Sequence, residues 1–105
     1  MIETELTGDN QGFISVVTMA ETAWVLQRSY VVSDSELAAA VELMLQADAL
    51  SIESEQEVFS AMIALRDGLG SFSDALVVEL ASKAGCAHTL TFDKKALRIS
   101  GFVAL

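Results

Sequence analysis

The sequence predicts one α/β domain, a parallel sheet flanked by helices in three layers. Three observations predict it. Short apolar, β-branched runs alternate with longer segments of helical period, in the order strand, helices, strand, helix, helix, strand, helix, strand. The strand segments are apolar almost throughout, which suits strands covered on both faces. The chain has 105 residues, enough for a single domain with a real core.

Each element has its own signal. MIETELTGDN (1–10) reads as a short acidic helix or the end of one. GFISVVTM, Gly12–Met19, reads as a buried strand bounded by its glycine. The segment TMAETAWVLQRSYVV is helical, with Thr18 and Glu21 as a T-x-x-E capping box. Ser33 and Glu36 form a second box, ahead of the stripe Leu37, Val41, Met44 and Leu45. ALSIE, Ala49–Glu53, is a short strand. Ser54 and Glu57 form a third box, ahead of Val58, Phe59, Met62 and Ile63, and the glycines of DGLGS stop that helix. SDALVVELASKA (73–84) is a helix ended by Gly85. CAHTLTF is a strand, DKKALRI a short helix and GFVAL a last strand.

Composition narrows the function. The net charge of -9 argues against a nucleic-acid binder held by bulk electrostatics. It leaves room for an enzyme that uses local cations, or for a basic partner segment. The single cysteine, Cys86, excludes an internal disulfide and fits a reducing cytosol. The first ten residues lack the pattern of a signal peptide, and no apolar run is long enough to span a bilayer. A soluble, cytoplasmic protein without a membrane partner is expected.

Three acids stand at the ends of elements. Glu21 falls in the first turn after the first strand, Asp74 in the first turn of the helix at 73–84, and Asp93 directly after the strand at 86–92. Helices that run back along parallel strands start beside the carboxyl ends of those strands, where open α/β folds place ligand sites. Each acid has a purely local explanation: the third residue of a capping box for Glu21, a helix-dipole partner for Asp74, an N-cap for Asp93. Asp74 strains that explanation most. It heads the stripe Asp74, Val77, Val78, Ala81, which should face the sheet, and a carboxylate aimed there is costly unless paired. Three carboxylates at one level repel one another, and a divalent cation such as Mg2+ removes that repulsion.

The runs FISVVTMAETAWVL and SFSDALVVELASKAGCAHTLTFDKKA together resemble the PIN-domain ribonucleases, in particular the VapC-type toxins of bacterial toxin–antitoxin modules. The likeness extends from Gly12 to Leu105. It implies an endoribonuclease in which Mg2+ or Mn2+ is held by Glu21, Asp74 and Asp93 as metal-binding and catalytic acids. It implies RNA as substrate and a cognate antitoxin as partner, with exposed apolar residues of the helices at 18–48 as natural contacts. The chain also departs from the family pattern: the first strand, with its D-x-N-V aspartate, has no counterpart. Residues 1–105 are therefore expected to be one PIN-like domain, incomplete at the N-terminus, with weakened metal binding. That strand is central in the family, between the strands at 13–18 and 86–92. Those two must pair with each other, pair with another chain, or leave open edges. A homodimer or higher oligomer is expected, given the 52% hydrophobic content.

Arg28, Lys94 and Lys95, with Arg98, are candidates for RNA phosphates, although solvated surface charge explains them as well. His88 reads as structural, Cys86 as a small core residue, and Trp24, Phe59 and Phe72 as core aromatics. The competing function is a catalytically degenerate PIN-like module that acts in self-association or antitoxin binding. A phospho-accepting receiver domain is disfavoured, because no late strand ends in the lysine it needs.

Overall fold

Val58, Ala61, Met62 and Leu65 recur at helical spacing and are each at most 1% exposed. They form the inner face of the helix on which the computed structural model is built. The structure describes residues 6–86, 89–91 and 101–104. Its order is β1 (Gly12–Ile14), α1 (Val16–Ser29), α2 (Asp34–Gln46), β2 (Leu50–Ile52), α3 (Glu55–Arg66), α4 (Phe72–Lys83), β3 (Thr89–Thr91) and β4 (Phe102–Ala104). α3 packs against both α2 and α4, and α1 touches both of those. Leu37, Ala38 and Val41 of α2 and Phe72, Ala75 and Leu76 of α4 complete the core, with Met19 and Ala23 of α1 and Ile52 of β2. Each large side chain fully buried here contributes about 1.5–3 kcal/mol.

The α/β class holds, and both strand ladders among the described residues are parallel. β1 pairs with β2 in the register Gly12–Leu50, Phe13–Ser51, Ile14–Ile52. β3 pairs with β4 in the register Thr89–Phe102, Leu90–Val103, Thr91–Ala104. Among the described residues no ladder joins the two pairs. The strands expected at 13–18 and 86–92 therefore do not pair with each other among the described residues, which removes one of the three expected arrangements. Phe13 is 65% exposed, unusual for a strand expected to be covered on both faces.

Several local expectations are corrected. Thr7 and Asn10 bond to each other through a tight turn at Gly8 and Asp9, so Thr7–Asn10 is not helical, while residues 1–5 of that expected helix lie outside the described residues. The expected strand Gly12–Met19 ends at Ile14. The Ser15 hydroxyl accepts the Thr18 amide at 3.1 Å, and the Glu53 carboxylate accepts the Val16 amide at 2.8 Å. With its first donors satisfied, the helix starts at Val16 despite two β-branched residues. Thr18 therefore lies inside α1, and its box with Glu21 does not form. The box at Ser54 and Glu57 fails for another reason. Ser54 has a left-handed backbone and makes no side-chain cap. Lys83 engages both residues instead, at 3.2 Å from the Ser54 hydroxyl and 3.4 Å from Glu57.

The exposed aromatics are also corrections. Phe72 is fully buried, as expected, but Phe59 is half exposed and Trp24 is 57% exposed. At 100° per residue Phe59 stands well to the side of the Val58, Met62, Leu65 face. Cys86, expected in the core, is exposed just past α4. The stop signals hold. Leu69 and Cys86 donate back to Ala64 and Ala81, and Gly68 and Gly85 donate to Leu65 and Ser82. Both ends are Schellman motifs that need a left-handed residue, and Gly68 (φ 74) and Gly85 (φ 84) supply it. β3 and β4 fall inside the expected last strands. His88 and the expected helix DKKALRI lie outside the described residues.

Two predictions follow from backbone and capping. Val31 has φ 52 just after α1 and is 84% exposed, so a β-branched side chain is held in the left-handed region with no packing to offset it. Val31→Gly is expected to stabilise the fold by about 1 kcal/mol in urea unfolding. The box of Ser33 and Glu36 is intact, with reciprocal bonds of 3.1 Å. Bonds from the Ser33 backbone and then its hydroxyl hold the Glu36 carboxyl below its ordinary value of 4.5. A depressed folded value means stability that is complete above 4.5 and lost as pH falls through the folded value. Glu36→Gln should flatten the acid limb of a stability–pH profile, read by thermal unfolding.

Candidate active site

The candidate acids sit on neighbouring helices. Asp74 is the third residue of α4, where the Ser71 hydroxyl accepts its amide at 3.1 Å and fixes the helix start. That pattern, S-x-x-D, was present in the sequence beside the glycines of DGLGS. Glu21 lies deeper in its helix than expected. Ser15 is the N-cap, so Glu21 is in the second turn of α1, not the first. It stands about 9 Å along the axis from the cap, against about 4.5 Å for Asp74. The expectation of acids at one level is corrected to that extent for these two.

The burial argument for Asp74 is corrected as well. The face of α4 that enters the core carries Phe72, Ala75 and Leu76. Asp74, Val77 and Ala81 lie on the other side, with Val78 between, still packed against the core. Val78 packs toward Gly101, where an added Cβ would come within 3.1 Å of it, while Val77 is exposed. Asp74 is only half buried. No forced desolvation demands a cation there. What remains is availability. Neither the Glu21 nor the Asp74 carboxylate has a bonding partner among the described residues, a state shared with several other surface acids.

The hollows of the surface do not gather the acids. Glu21 lines an open, mostly apolar depression of about 240 Å³ with Thr18, Thr22, Val25 and Leu26. A wider one of about 520 Å³, beside Leu45, Glu55, Gln56, Phe59 and Ser60, holds neither candidate. Among the described residues no group of three His, Cys, Asp or Glu side chains is placed to hold a metal. Asp93, Lys94, Lys95 and Arg98 lie outside those residues. Arg28 caps the Trp24 ring at 5.1 Å, on the solvent side of α1. Arg66 and Lys83 are engaged with Glu42 and Glu57.

One acid at the strand ends escaped the sequence reading. Glu53 follows β2 directly, the same strand-then-acid pattern as Asp93. Its carboxylate is occupied by the Val16 amide, and its own amide donates to Ile14. It therefore ties the end of β2 to the start of α1.

The PIN domain family model matches residues 2–101. The chain belongs to the PIN domain family. No match is found among curated proteins or among solved structures. PIN domains are in general nucleases, commonly with divalent metals, and the oxygen-donor chemistry of Glu21 and Asp74 suits a hard cation such as Mg2+. Among the described residues this PIN domain supplies two such donors on adjacent helices, fewer than a complete site. No described helix is long and apolar enough to cross a membrane.

Because neither carboxylate has a partner among the described residues, neutralising them should leave folding intact. Glu21→Gln and Asp74→Asn are each expected to change unfolding free energy by less than about 1 kcal/mol, the scale of a helix-dipole term. Chemical denaturation checks this, and it makes either variant a clean probe of chemistry.

Proposed function

We propose that this PIN domain is an endoribonuclease dependent on Mg2+ or Mn2+, with Glu21, Asp74 and Asp93 as the metal-holding acids. The observation that carries this is family membership across residues 2–101, combined with unpaired acids on the adjoining helices α1 and α4. A divalent cation bound there supplies an activated water and neutralises charge on the scissile phosphate. The carboxylates would position it. The hydroxyls of Thr18 and Thr22 line the depression beside Glu21 and offer hydrogen bonds to a sugar–phosphate backbone. Arg28, Lys94 and Lys95 are the cations available to RNA phosphates.

The runs FISVVTMAETAWVL and TLTFDKKA support the narrower reading of a VapC-type toxin with a cognate antitoxin, acting in the cytoplasm. A second reading has a specific observation in its favour. The unequal depth of Glu21 and Asp74, with two unjoined strand pairs, suits a PIN domain that binds partners and no longer cleaves.

Incubation of a structured RNA with the purified protein and Mn2+ separates the two readings. Cleavage that stops with EDTA, and drops at least a hundredfold in Asp74→Asn, is expected of the nuclease. Equal products from both proteins, with no Mn2+ bound in calorimetry, would leave the binding module.

A further inference from the structure

The wider surface hollow, of about 520 Å³, is lined by neither candidate acid and has no part in the site described above. Leu45, near the end of α2, packs on the core and reaches it from one side. The start of α3 forms the other side. Glu55 and Phe59 are one turn apart there, as are Gln56 and Ser60, so the four make one patch of helix surface. Phe59 leaves half its area in water. The frame is strongly acidic. Residues 34–66, from α2 through α3, hold seven acids against a single base, Arg66, a net of -6 out of the -9 of the whole chain. Arg66 is already paired with Glu42 at 3.8 Å. Glu55, on the hollow itself, has no ion-pair partner among the described residues.

We propose that this hollow docks a basic segment of a partner protein, with one large apolar side chain seated between Leu45 and Phe59 and arginines or lysines on the acidic rim. Charge complementarity selects that occupant. RNA and anionic lipid carry the wrong sign for a frame of net -6. A second copy of the chain would bring the same acidic face, like charge on like charge. A cationic peptide satisfies both halves of the surface. Its long lysine and arginine stems lie along the apolar wall while their heads reach carboxylates such as Glu55. The patch is small, so the complex belongs in the micromolar range and weakens with salt. Glu21 and Asp74 take no part in it and remain free to hold a cation. The inference is independent of nuclease activity.

Fluorescence anisotropy of the full chain tests it. The probe is a labelled peptide of about twelve residues, with leucine at every third or fourth position among arginines and lysines. The wild type should bind it at micromolar concentration, and a peptide with serine in place of each leucine should bind about tenfold more weakly. Phe59→Ser and Glu55→Lys should each weaken binding about tenfold with an unchanged circular dichroism spectrum. Glu79→Lys makes the same charge change on α4, away from the hollow, and should stay within about twofold of wild type. No binding at about 200 µM, a Glu79→Lys loss equal to that of Glu55→Lys, or full affinity in Phe59→Ser would each overturn the proposal. So would a change of oligomeric state in Phe59→Ser by sedimentation velocity, which would give the hollow to a second copy.

Discussion

Helix α3 must bury Val58, Ala61, Met62 and Leu65, and the helices that cover it decide where the other elements can go. α2 brings Leu37 and Val41 to one side, and α4 brings Phe72 and Leu76 to the other. Once α4 has turned Phe72, Ala75 and Leu76 inward, Asp74 and Val77 must point elsewhere, because 100° per residue allows no other outcome. The orientation of a candidate catalytic acid is thus a by-product of core packing. The Ser71 cap sets its height on the helix, and the core sets its direction.

The strands play a smaller part than in most α/β domains. Three-residue ladders contribute few hydrogen bonds, and β1 is held to its helix by side chains as much as by pairing. Glu53 is the clearest case, since its carboxylate joins the end of β2 to the start of α1 and its amide joins it to the end of β1. The same residue shows how an acid at a strand end can be wholly occupied by structure. Asp93 has the identical sequence setting, so that setting alone does not identify a metal ligand.

Three S/T-x-x-E patterns look alike in the sequence and end differently. Ser33 and Glu36 form the full box because nothing distant competes for them. Thr18 loses to Ser15, three residues upstream, which takes the N-cap and pairs with the Thr18 hydroxyl at 3.0 Å. Ser54 and Glu57 are drawn to Lys83, which reaches them from α4 across the packed helices. A capping box is a local bargain between a few hydrogen bonds worth about 1 kcal/mol each, so one tertiary ion pair or a better upstream hydroxyl is enough to replace it.

The sequence by itself determined the α/β class, the parallel pairing, the glycine stops at Gly68 and Gly85, and the α2 stripe of Leu37 and Val41. These depend on residues close along the chain: hydrophobic period, backbone freedom at glycine, and a serine three residues from a glutamate. Only the tertiary structure decided that Trp24 and Phe59 face water, that Glu21 sits one turn deeper than its pattern implied, and that two pairs of strands stand unjoined among the described residues. Those outcomes depend on which of several apolar faces finds a partner, and burial is a competition among all the helices at once.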